Sequence, residues 1–124
     1  TYDDYVDLEW LCASLGTPLS SRACAGTKLD LLLGIDAHLP AVSRQYGISF
    51  ERLLMSGPPL KLPMPNDFPM TGHLEADVVR AWHHAMTLYP LESSDPYADD
   101  VFVELEDWIG HAAARDVGLV TFYQ

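Results

Sequence analysis

The chain is short of positive charge: seven Lys and Arg stand against eighteen Asp and Glu in 124 residues, a formal net charge of −11 at pH 7. The bases are scattered singly, and neutralising nucleic-acid phosphates takes clustered Lys and Arg, so a nucleic-acid partner is disfavoured. No apolar run approaches the roughly 18 residues needed to span a bilayer. The first residues, Thr1-Tyr2-Asp3-Asp4-Tyr5, lack the basic and apolar regions of a secretory leader. The expectation is a cytoplasmic protein without a membrane.

Cysteine is scarce as well. Cys12 and Cys24 show no CxxC spacing, which speaks against a structural zinc site. A disulfide between them is open, but both read more simply as small buried hydrophobes. Several chemistries lack their signatures: HExxH, GxSxG, GxGxxG and a phosphate-binding P-loop are all missing. His73 and Asp77 stand four apart on an expected helix, whereas His83 and His84 point about 100 degrees apart. A metal-dependent enzyme using His83 or His84 would need ligands that no spacing specifies. Asp95, Asp99, Asp100 and Glu104 lack the ligand order and central Gly of a calcium loop. The expectation is a protein without cofactor, metal site or catalytic set.

What is present is enough for a core. Apolar residues make up 48% of the chain, with three Trp, six Tyr and four Phe, and 124 residues suit one domain spanning 1–124. The negative charge is localised. Residues 1–9 hold four acids and residues 92–107 hold seven, neither segment having a base, while the rest is neutral.

Periodicity predicts helices. Over 3–15, Tyr5, Leu8, Leu11, Cys12 and Leu15 share one face. Residues 28–33 favour helix by their Leu content, and a short helix spans about 39–46. Ser49 is a good N-cap for 50–55, with Ile48 placed to staple on Leu53. A long helix is predicted over 73–89, with its stripe on Leu74, Val78, Ala81, Trp82, Ala85 and Met86 and its stop at Pro90. A last helix, capped by Asp99 or Asp100, is expected over 101–115. Five of nine prolines fall in 57–72, marking a stiff Pro-rich loop. The LVTFY stretch, 119–123, is β-prone and reads as one short strand or an extended tail. The predicted fold is mainly α: a compact bundle of four to five helices with the Pro-rich loop (57–72) and at most a short C-terminal strand.

Residues Thr27-Lys28-Leu29-Asp30-Leu31-Leu32-Leu33-Gly34-Ile35-Asp36 resemble the stretch of acyl carrier proteins that leads into their LGxDS motif. Tyr46-Gly47-Ile48 resembles the FGI segment that follows it. The resemblance, confined to residues 27–48, implies a four-helix carrier topology with Asp36 opening the second helix. It departs at the prosthetic-group position, which is Ala37 instead of serine, and in a helix shortened around Pro40.

The expected function is that of a small acidic binding domain that inhibits or regulates a basic protein partner, in the style of bacterial immunity or antitoxin proteins. Asp95, Tyr97, Asp99, Asp100, Glu104, Glu106 and Asp107 are the candidate partner-binding residues: the acids steer docking and Tyr97 anchors it. The same acidity also serves solubility. A monomer is expected, since like charges would oppose one another in an isologous contact. The alternative is an acyl-carrier-like or scaffold domain without a phosphopantetheine site.

Overall fold

The computed structural model describes residues 2–19, 23–24, 29–59 and 70–123. In chain order they form α1 (Tyr2–Leu15), α2 (Leu29–Leu33), a 3-10 turn (Gly34–His38), α3 (Ala41–Gln45), α4 (Phe50–Met55), β1 (Met70–Leu74), α5 (Ala76–Leu88), α6 (Pro96–Ala114) and β2 (Leu119–Tyr123).

This arrangement corrects the expected bundle of four to five helices. Three of the helices are only five or six residues long, and an antiparallel pair of strands completes a mixed α/β fold. The four-helix carrier topology is therefore not the one adopted. The reason lies in a pairing between segments some fifty residues apart, invisible to local periodicity. Met70 pairs with Tyr123 and Leu74 with Leu119. The strand takes His73 and Leu74 out of the predicted 73–89 helix, so α5 starts at Ala76. It also claims the end of the expected Pro-rich loop, of which residues 60–69 lie outside those described.

β1 is held on both edges. Its other side bonds to the chain leaving α4: the Gly57 N–H donates to the Thr71 carbonyl at 2.9 Å. The Ser56 hydroxyl accepts from the His73 N–H at 2.9 Å and donates to the His73 carbonyl at 3.0 Å. The sheet lies directly on α4, where the Thr121 hydroxyl donates to the Leu53 carbonyl at 2.8 Å. A short helix leaves its last carbonyls without intrahelical donors. Here a strand residue supplies one.

The core forms where α5 and α6 pack together over α4. Phe50, Leu53, Val79, Trp82, Phe102 and Ile109 are fully enclosed. On α5 the buried arc centres on Val79, Trp82 and Met86, while Ala81, expected inward, faces solvent. The last helix begins earlier than predicted. Asp95, not Asp99 or Asp100, is its N-cap: its carboxylate accepts from the Ala98 N–H at 2.9 Å, with Pro96 at the first helical position. That placement suits Pro, whose missing N–H would be unpaired there anyway. α6 ends at Ala114 with Arg115 as its C-cap, and Asp116 takes the left-handed conformation (φ 53) while accepting a hydrogen bond from Arg80 of α5. Asp tolerates that region better than most residues.

At the N-terminal side, α1 buries far less than its periodicity suggests. Of its expected apolar face Leu8 is buried, whereas Leu11 and Leu15 are 52% and 79% exposed. Cys12 and Cys24 are free and half-buried, not enclosed as expected. No helix among the described residues is long and apolar enough to cross a membrane.

Candidate functional site

Two surfaces stand out, and the seven candidate residues divide unevenly over the first. On α6, successive residues turn by 100 degrees, which sets Asp100, Val103 and Asp107 on the outward face with Asp99 at one edge. Val103 is 62% exposed. Asp99 and Asp100 have no Lys or Arg partner among the described residues, and Asp107 meets only His111, at 3.8 Å. These three aspartates form a patch around an exposed valine.

The other four candidates are engaged by the protein itself. Asp95 caps its own helix. Tyr97 is half-buried and packs against the core. Glu104 sits at one edge of the outward face, where its carboxylate accepts from the Ala23 N–H at 3.0 Å. It also receives a hydrogen bond from the Cys24 thiol, whose pKa is pushed up to about 12 by burial first and by the Glu104 charge and hydrogen bond after it. That thiol is held protonated, so it is no nucleophile. Glu106 occupies the opposite edge. Burial pushes its carboxyl above the usual range, the Leu91 backbone N–H works against the rise, and the charges of Asp99 and Glu92 add to it. Sequence reasoning missed Glu92 as a member of this edge, though its position three residues before the Asp95 cap was visible.

The second surface is an open cavity of about 930 Å³ between α1, the C-terminal half of α6 and β2. The exposed stripe of α1 forms one wall (Leu11, Leu15), and Trp108 and Phe122 line it as well. Both cysteines reach it. The Cys12 thiol is likewise raised, by burial and then by the charge of Glu9. At the end of α6, His111 and Arg115 complete the lining, with Arg115 Nη1 3.0 Å from His111 Nδ1. The sequence signal was there: an amphipathic helix expected over 3–15 whose stripe had no assigned partner.

The histidines do not converge. His73 lies on β1, where its Nδ1 is 2.9 Å from the Gly57 carbonyl oxygen, and His83 and His84 are exposed on α5. Among the described residues no group of three or more His, Cys, Asp or Glu could hold a metal ion.

In the segment that resembles acyl carrier proteins, Ala37 is exposed in the 3-10 turn. Its neighbour Asp36 is committed to α4, accepting from the Ser49 hydroxyl at 2.8 Å, the Phe50 N–H at 2.6 Å and the Glu51 N–H at 3.1 Å. No curated protein and no solved structure matches the chain. A family model described as "Domain of unknown function (DUF7691)" matches residues 5–124, nearly the whole chain, and the protein belongs to that family.

Proposed function

We propose that this protein is a small acidic binding domain that docks a basic protein partner on the outward face of α6 and inhibits or regulates it, in the manner of immunity and antitoxin proteins. One observation carries the reading. Asp99, Asp100 and Asp107 surround the exposed Val103, and the described residues offer the first two no Lys or Arg. An apolar contact flanked by carboxylates, two of them without a Lys or Arg among the described residues, suits a partner that brings its own Lys and Arg. Single-sign patches of this kind speed encounter and reject wrong partners.

The reading makes the protein a monomeric binder, not an enzyme and not a nucleic-acid ligand. It sets the protein in the cytoplasm, where two free half-buried thiols are in keeping with a reducing compartment. The partner is captured by crosslinking to the wild-type chain, and its association rate is then compared with an Asp99→Asn, Asp100→Asn, Asp107→Asn variant. The expected result is slower association for the variant and a flatter dependence on salt. Unchanged association at low ionic strength would overturn the reading.

A further inference from the structure

A second surface feature, the cavity between α1, α6 and β2, is lined by residues other than the seven acidic-face candidates. Its volume, about 930 Å³, lies within the roughly 300–1,000 Å³ typical of small-molecule sites. Its walls are mostly apolar, and Leu11 and Leu15 present their side chains to it while remaining 52% and 79% exposed. The polar groups in the lining are not spread evenly. At the end of α6, Arg115 bonds only to the ring and backbone carbonyl of His111, so its guanidinium has no carboxylate partner among the described residues. Arg115 is the one Lys or Arg among the described lining residues, so the positive end of the cavity is at the end of α6. Glu9, on α1, is the one carboxylate among the described lining residues. A ligand that is anionic along its length would meet it, which restricts negative charge to one end.

We propose that this cavity binds an unbranched amphipathic carboxylate, the class of a medium- or long-chain fatty acid, with its alkyl chain between α1 and β2 and its head group on Arg115. The guanidinium suits the head group because its planar fork matches a carboxylate bidentately. The alkyl chain covers Leu11 and Leu15, which no part of the described protein buries.

The test titrates the full-length protein with octanoate, decanoate and decanol, each below its aggregation concentration. Calorimetry gives the affinity, and tryptophan emission is followed in a Trp10→Phe background, where Trp108 lines the cavity and the remaining Trp82 is buried outside its lining. Saturable binding of decanoate is expected, tightening by about fourfold per added CH₂ from the transfer energy of a methylene. Arg115→Gln is expected to weaken decanoate about tenfold and to leave decanol unchanged. Leu15→Asp, at a position exposed enough to spare the fold, is expected to abolish both. Absence of saturable decanoate binding overturns the proposal, and so does decanoate binding that neither Arg115→Gln nor Leu15→Asp alters. None of these outcomes depends on the acidic face.

Discussion

Gly72 of β1 lies against Leu53 of α4 so closely that a Cβ on Gly72 would overlap the Leu53 carbonyl oxygen. The same oxygen accepts from the Thr121 hydroxyl at 2.8 Å. One backbone group of a six-residue helix thus sets the spacing of the whole sheet.

Two substitutions test that junction. Gly72→Ala has backbone, not a flexible side chain, in its way, so the strand must move off α4. A loss of about 3 kcal/mol is expected, at the upper end for overpacking. Thr121→Val keeps the shape and the β propensity but removes the donor, for an expected loss of about 1–2 kcal/mol. Both are read from urea unfolding midpoints, and a Gly72→Ala protein as stable as wild type would mean that the sheet does not pack on α4 as described.

A second prediction concerns Asp36, the residue that the carrier-like segment would place at the opening of a helix. Its carboxylate instead serves α4 from outside, taking the Phe50 and Glu51 N–H groups and the Ser49 hydroxyl, while Ser49 accepts from Arg52 N–H at 3.2 Å. Phe50 is fully buried, so an unpaired N–H there has poor access to water. Asp36→Ala is expected to cost about 2 kcal/mol, the upper range for a lost cap. Asp36→Asn, which keeps an acceptor, should cost less. The urea midpoint should fall with the slope unchanged, as for a pure stability effect.

The contrast between these two junctions shows what the sequence could and could not disclose. The N-cap at Ser49 and the 50–55 helix were legible because their signals are local: a short polar side chain, then an apolar period. The strand at 70–74 was not. Its residues Met-Thr-Gly-His-Leu carry weak β propensity, and their pairing with 119–123 is a tertiary choice that no window contains. The false helix start at His73 followed directly. At the acidic face the charges were legible but their employment was not, because a carboxylate's partner can be remote. Glu104 bonds to Ala23, 81 residues away, and nothing near either residue announces it. The α1 stripe was legible as a stripe, and only the fold shows that much of it lines a cavity instead of a core.

The last prediction turns on Glu106. Its carboxyl is raised above its ordinary 4.5 by burial first, with Asp99 and Glu92 adding to the rise against the Leu91 N–H. A carboxyl that binds its proton more tightly when folded destabilises the fold once it is ionised. The penalty is complete above the folded pKa and disappears as pH falls below about 4.5. Glu106→Gln keeps an acceptor for the Leu91 N–H and removes the charge. It should therefore be more stable than wild type at pH 7, with the advantage shrinking through the range just above pH 4.5 and absent at pH 4. Paired thermal melts at pH 7 and pH 4 measure it, and an advantage that stays constant with pH would trace to packing instead of charge. A basic partner bound at this edge would act as the proton does, relieving the repulsion among Glu92, Asp99 and Glu106. The neutral-pH advantage of Glu106→Gln should then shrink in the complex, because only the wild-type carboxylate gains from the partner's cation, while the burial part of the penalty remains.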